Sequence, residues 1–336
     1  MSDIDLVTGG AGFIGSHLVD ALIAKGRRVR VLDNFVSGGP RNLKHLAGSQ
    51  RLDLVQGDVR IAEEVAEVMH GVDRVFHLAA LADIVPSIQR PDEYFTTNVD
   101  GTFTVLQAAR AQQVRRFVYA ASSSCYGIPD VYPTPETTPI RPQYPYALTK
   151  HLGEELVLHW GRVYGMPVVS LRFFNVYGPR SRTSGAYGAV FGVFLAQLLA
   201  GKPLTIVGDG SQTRDFTYVG DVAAAVVAAA ESGVVNEVLN VGTGRDVSVK
   251  RLVELLGAKQ VIHLPKRPGE PDCTLADTSK IRELVGWAPQ VPIEQGVRIM
   301  LDHIDYWREA PVWTAEAIAG ATREWFEHLG RHRTAA

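Results

Sequence analysis

Tyr146 and Lys150 stand four residues apart in Tyr146-Ala-Leu-Thr-Lys150, and on a helix that interval puts two side chains on one face. A phenol keeps its proton at neutral pH, with a pKa near ~10. An ammonium beside it stabilises the phenolate and turns the group into a usable base. Upstream, Ser122-Ser-Ser124 closes an apolar run, and a hydroxyl there can polarise a substrate oxygen. Tyr146, Lys150, Ser122 and Ser123 are therefore the candidate catalytic residues. A Tyr–Lys pair at this interval is common on protein surfaces. Its place after a fifth strand sets this one apart, because open α/β sheets bind ligands at the ends of their strands.

A second constellation lies at the start of the chain. Leu6-Val-Thr-Gly-Gly-Ala-Gly-Phe-Ile-Gly15 puts Gly9, Gly12 and Gly15 between a strand-like run and a helical one. The first glycine permits a tight turn, the second lets backbone approach a pyrophosphate, and the third lets helix pack on strand. Phosphates then meet a helix N-terminus, whose N–H groups and dipole favour anions. About 20 residues on, where a ribose-binding carboxylate belongs, the chain reads Asp33-Asn34. A carboxylate there accepts both ribose hydroxyls and repels a 2′-phosphate, which favours NAD over NADP. Asp58, after the third strand, either reaches the adenine amine or forms a turn.

These groups need a frame. Short β-rich runs at 4–8, 29–32, 52–56, 74–78, 117–121 and 168–171 alternate with helical patterns at 12–25, 61–70, 94–112 and 144–164. That alternation predicts an α/β fold with a doubly wound parallel sheet, covered on both faces, over residues 1–172. After Arg172 glycine and proline become frequent, as in Tyr177-Gly-Pro-Arg180 and Lys266-Arg-Pro-Gly-Glu-Pro271. Residues 173–221 and 246–336 read as a smaller C-terminal substrate lobe, with the chain returning to the sheet at about 222–245.

Composition limits the partners. With a net charge of -2 over 336 residues, nothing suggests a nucleic-acid binder, and no apolar run reaches membrane-spanning length. Two distant cysteines, Cys125 and Cys273, point to a reducing cytoplasm and away from a disulfide framework or zinc cluster. The ten histidines have no metal-ligand spacing, and His77 reads as a satisfied strand-end residue. The aromatic tail, Tyr306, Trp307, Trp313, Trp325 and Phe326, reads as terminal helices packing on the smaller lobe.

Taken together, the glycine loop, Leu78-Ala-Ala80, Asn98, Ser122 to Ser124, Tyr146 with Lys150, and Arg172-Phe-Phe-Asn-Val-Tyr-Gly-Pro-Arg180 resemble the extended short-chain dehydrogenase/reductases, in their nucleotide-sugar epimerase and dehydratase branch. The resemblance runs to about Trp287. It implies a tightly held NAD, lined by Gly9, Gly12, Phe13, Ile14, Gly15, Asp33, Asn34, Asp58, Val59, Leu78, Ala79, Ala80, Asn98, Tyr146, Lys150 and Val176. It implies that Tyr146 takes a proton from a sugar 4-hydroxyl, that Lys150 holds the nicotinamide ribose, and that Ser122 or Ser123 binds the reacting oxygen. Asn175 would contact substrate, and Arg214, Arg267 and Glu270 the diphosphate and ribose of a UDP-sugar. A homodimer is implied through the helices at 94–112 and 144–164.

Within that branch a dehydratase would carry an Asp-Glu pair beside the serine or threonine, and a uronate decarboxylase a glutamate at position 124. Here the segment is Ser122-Ser-Ser-Cys-Tyr126, which points to 4-epimerisation. A second arginine, in Gly178-Pro-Arg-Ser-Arg182, matches a carboxylate holder of uronic-acid epimerases. Arg182 with Ser123 and Ser124 could cradle a sugar carboxylate, so UDP-glucuronate is the expected substrate. UDP-glucose or UDP-N-acetylglucosamine, a net keto-sugar reductase and a catalytically silent NAD sensor are the alternatives.

Overall fold

Seven parallel strands form the central sheet of the computed structural model, which describes residues 4–181 and 190–330. The first six are β1 (Ile4–Thr8), β2 (Arg28–Asp33), β3 (Leu52–Gln56), β4 (Val72–His77), β5 (Arg116–Ser122) and β6 (Val168–Phe173). A long helix, Val219–Glu231, then brings in the seventh, Glu237–Val241. Across the sheet the order is Glu237–Val241, β6, β5, β4, β1, β2, β3. The order reverses between β1 and β4, and that switch point opens a crevice at the carboxyl ends of the strands.

The connecting helices are α1 (Phe13–Ala24), α2 (Ala62–Met69), α3 (Ile84–Gln89), α4 (Pro91–Phe95), α5 (Gly101–Gln112) and α6 (Pro145–Tyr164). One face of the sheet packs Val7, Val31 and Val169 under α1 and helix Val219–Glu231. The other packs Leu6, Val75 and Phe117 under α2, α5 and α6. All six residues of β6 are buried, which is why these strands read as continuous apolar runs and not as alternating ones.

Local chemistry sets the helix ends. Pro145 occupies the first turn of α6, and Gly165 closes it at φ +64°, a conformation that side chains disfavour. The single helix predicted over 94–112 begins earlier, at Pro91, and contains a π-helical stretch, Thr96–Asp100, between α4 and α5. Apolar periodicity does not register one extra residue in a turn. That widened turn carries Asn98.

A second core gathers Tyr177, Phe191, Phe194, Leu204, Phe216, Leu252, Met300 and Trp307. Its helices include Val190–Leu199, Val249–Leu255 and Ile293–Asp302. Two short helices follow near the end, Ala315–Ala321 and Arg323–Leu329.

Candidate active site

Where β1 meets α1, the glycines are compelled by their surroundings. Gly9 has φ +69°, and a Cβ on it would lie 2.8 Å from the Ala79 backbone. A Cβ on Gly15 would run into the Gly9 carbonyl oxygen. Helix α1 begins at Gly12 with no side-chain cap, so the first-turn N–H groups of Phe13, Ile14 and Gly15 have no acceptor within the helix. Asn42 holds the loop from below: its Nδ2 donates to the Ala11 carbonyl at 2.9 Å, while its Oδ1 accepts the Tyr306 hydroxyl at 2.9 Å. Tyr306, placed by sequence in a packing tail, thus braces the glycine loop through one intermediary.

Asp33 ends β2 with its carboxylate accepting the Ala11 N–H at 2.9 Å and the Phe35 N–H at 2.8 Å. Burial pushes its pKa up, and the two N–H groups oppose that rise. Asn34 donates to Asp58 at 3.0 Å. The turn-forming alternative for Asp58 has direct geometric support, since its Oδ1 accepts the Arg60 N–H at 2.9 Å and Arg60 pairs with it at 2.6 Å. That pairing lowers its pKa to about 2. The groups of this segment that face the crevice are Gly57, Val59 and Arg60.

The crevice continues as one cavity of about 900 Å³ from the glycine loop to the second core. It is lined by Leu78, Ala79 and Ala80 after β4, by Ser122, Ser123 and Ser124, by Tyr146 and Lys150, and by Asn175 and Val176. Asn98 is buried behind this wall. Its amide oxygen accepts the Leu81 N–H at 2.8 Å, and its nitrogen donates to the Leu81 carbonyl and to Thr149 Oγ1, both at 3.0 Å. It therefore fastens the β4 exit to α6 between Tyr146 and Lys150, instead of facing the crevice.

Ser122 lies on the Tyr146 side of the cavity, where its hydroxyl lowers the phenol's pKa, and it shares a 2.8 Å bond with the Ser124 hydroxyl. Tyr146 lies parallel to Tyr144, ring centroids 6.4 Å apart, and edge-on to Tyr94 at 6.5 Å. The sequence reading has Lys150 making this phenol acidic, but burial outweighs every other influence on the pair. It raises the Tyr146 pKa, against the nearby Ser122 hydroxyl that lowers it, and pulls Lys150 down to about 7 despite Glu154. The Lys150 ammonium sits 4.2 Å above the Tyr119 ring. Asp83, a residue the sequence did not single out, lines the same cavity and raises the Tyr146 pKa further.

At the far end the three expected diphosphate and ribose residues converge. Arg214 Nη2 donates to Glu270 Oε1 at 2.9 Å, and Arg267 lies 4.0 Å from Glu270 Oε2. Asn175 accepts the Thr274 hydroxyl at 2.7 Å. Asp215, fully buried, accepts the Thr243, Gly244 and Ala276 N–H groups at 2.7, 3.0 and 3.1 Å and so ties the loops behind Arg214 together. Arg182 lies outside the described residues. The segment before it is pinned to the cofactor side: His17 bonds the Pro179 carbonyl at 2.9 Å, and Asp20 pairs with Arg180 at 2.8 Å. His77 is satisfied as expected, between Thr8 Oγ1 at 2.7 Å and Thr102 Oγ1 at 3.0 Å.

Trp325 is the other residue sequence reasoning missed. It lines the cavity from helix Arg323–Leu329, and only its aromatic character could have drawn notice.

A glycine loop at the switch point of a parallel sheet, one cavity away from a Tyr–Lys helix, defines a dinucleotide-dependent enzyme of the short-chain dehydrogenase type. The model of the NAD-dependent epimerase/dehydratase family matches residues 6–242. A UDP-glucose 4-epimerase of Mycolicibacterium smegmatis is 38% identical over 302 residues, covering 87% of this chain and 95% of that one. The UDP-glucose 4-epimerase of Thermotoga maritima, solved with UDP-glucose, superposes with a TM-score of 0.84 at 35% identity, over 91% of this chain and 99% of its own. The UDP-glucuronic acid 4-epimerase of Bacillus cereus, solved with UDP-glucuronic acid and NAD, does so at 0.83 and 34%, over 90% and 99%. The chain belongs to the NAD-dependent epimerase/dehydratase family, and NAD is its cofactor. The crowding at Gly9 and Gly15, the uncapped start of α1 and the carboxylate of Asp33 suit a dinucleotide.

Proposed function

We propose that this enzyme inverts C4 of a UDP-sugar, and that its substrate pair is UDP-glucuronate and UDP-galacturonate. The observation that carries the epimerase reading is the meeting of Ser122, Tyr146 and Lys150 on one cavity wall, at a strand end whose next residues, Ser123 and Ser124, bring no acid. NAD, when bound, supplies reversible hydride uptake. Tyr146 takes the proton of the C4 hydroxyl and gives it back, with Ser122 or Ser123 binding the reacting oxygen. Lys150 holds the cofactor ribose beside it. Eliminating water would require a further acid–base pair at that strand end. Arg214, Arg267 and Glu270 hold the diphosphate and its ribose, gripping the nucleotide and leaving the oxidised ring free to turn over before its configuration is reset. Asp33 and Val59 serve the adenosine half, and Ala79, Ala80 and Val176 the nicotinamide half.

The choice of uronate rests on Arg182 with Ser123 and Ser124 as a charge-assisted cradle for a carboxylate. One observation favours a neutral hexose instead: the Asp83 carboxylate on the cavity wall repels a sugar carboxylate and suits hydroxyl groups. Purified protein given UDP-glucuronate, UDP-glucose and UDP-N-acetylglucosamine in turn, with no added nicotinamide, decides between them once the epimers are resolved. Turnover of UDP-glucuronate that falls selectively in Arg182→Ala supports the uronate reading. Turnover confined to neutral sugars selects the second reading, and a strict need for added reduced nicotinamide overturns epimerisation.

A homodimer through α4, α5 and α6 is part of the proposal, supported by the exposed Phe95, Phe103, Leu148 and Val163 on those helices. Both cysteines are free thiols, which suits a cytoplasmic setting. No helix among the described residues is long and apolar enough to cross a membrane.

A further inference from the structure

We propose that Trp325 is a positioning residue for the reaction, joining the nucleotide-gripping loop to the tyrosine wall so that the two are held at a set separation. The inference rests on the reading of Arg267 and Glu270 as nucleotide contacts. Trp325 has no solvent exposure, yet it borders the cavity and touches both elements. Its Nε1 donates to the Pro268 carbonyl at 2.7 Å, and the Arg267 guanidinium lies 5.7 Å from its ring centroid. Its ring also meets Tyr144 at 6.2 Å, and Tyr144 lies parallel to Tyr146 within 6°.

The loop has reason to need such an anchor. Pro268 and Pro271 donate no backbone hydrogen bond, and Gly269 has φ +72°, so a strand ladder cannot hold this segment. The indole supplies a fixed hydrogen bond to the loop backbone and a flat cation–π platform for the arginine. Tyr144 is the residue just before the first turn of α6; pressing on it sets where that helix presents Tyr146. A shift of about 1 Å between grip and base can cost ~10²-fold in rate. Helix Arg323–Leu329 also packs on α3, which extends from the Asp83 side of the cavity, so the tail closes the site as a third wall.

The test compares Trp325→Phe and Trp325→Leu holoenzymes by steady-state kinetics, by affinity for UDP alone, by NAD content and by thermal melting. The leucine variant is expected to raise KM for the UDP-sugar about 10-fold or more and to lower kcat about 10-fold. UDP affinity should fall with KM, while NAD content stays at the parent level. The phenylalanine variant keeps the ring against Arg267 and Tyr144 but lacks Nε1, and should fall between parent and leucine. Kinetics within twofold of the parent in both variants overturns the proposal, as does a loss of NAD in step with UDP affinity, which marks a merely structural tryptophan. Arg267→Ala tests the underlying reading separately: unchanged UDP affinity in that variant overturns the grip, and this proposal with it.

Discussion

Arg214 and Glu270 meet at 2.9 Å from positions 56 residues apart in the chain, and that pair stands at the end of the cavity proposed for the nucleotide. The carboxylate holds the guanidinium fork in place before any phosphate arrives, which lowers the ordering cost of binding. Removing Arg214 takes away a charged hydrogen-bond donor worth about 2 kcal/mol, or roughly 30-fold. Arg214→Ala should raise KM for the UDP-sugar by about that factor and change kcat by only a few fold. A KM equal to the parent's would show that the pair is structural.

Tyr146→Phe removes the proposed proton acceptor and leaves the ring contacts with Tyr144 and Tyr94 in place. Loss of a general base costs roughly 10²–10⁴-fold, so kcat should drop by about 10³ while NAD content and UDP affinity persist. Activity within tenfold of the parent would mean that another group moves the proton.

Gly15→Ala places a methyl group against the Gly9 carbonyl. The glycine loop must open to admit it, and the purified variant should carry little or no NAD, read as the absorbance of cofactor released on denaturation. Full NAD occupancy would show that the loop tolerates a wider spacing than the backbone contacts imply.

Tyr306→Phe cuts the hydroxyl bond to Asn42 that stiffens the Ala11 carbonyl. A neutral hydrogen bond contributes about 1 kcal/mol, so NAD should dissociate roughly fivefold faster, measured by stopped-flow exchange into NAD-free buffer, with kcat little changed. An unaltered off-rate removes the tail from any part in cofactor retention.

Acid should weaken the fold through two histidines. Burial, the largest influence on each, holds His77 neutral down to about 3 and His17 down to about 4, against 6.5 when exposed. Between pH 6.5 and 4 the unfolded chain therefore binds protons that the folded chain refuses, and stability falls as pH falls. Melting temperature should drop steadily from pH 7 to 5. His77→Gln should start lower, because its bonds to Thr8 and Thr102 are disturbed, and then fall less steeply. A slope equal to the parent's would locate the acid sensitivity elsewhere.

The linear chain by itself determined the sheet, the glycine loop and the helix that carries Tyr146 and Lys150, because each depends on residues close in sequence. Apolar runs of strand length, glycines at three fixed offsets, and a tyrosine and lysine one helical turn apart carry their geometry in their spacing. Arg214, Arg267 and Glu270 came from the resemblance to a family and not from spacing, and their meeting could not be read. What tertiary packing decided lies where distant segments converge. Asn98, on a π-helical turn that the apolar pattern does not reveal, locks β4 to α6. Asp83, Tyr306 and Trp325 reach the site from a loop exit and from the tail by packing alone. The proton affinities of Tyr146 and Lys150 were settled the same way. Adjacency on a helix is local, but the desolvation that dominates both groups is the work of every residue folded around them.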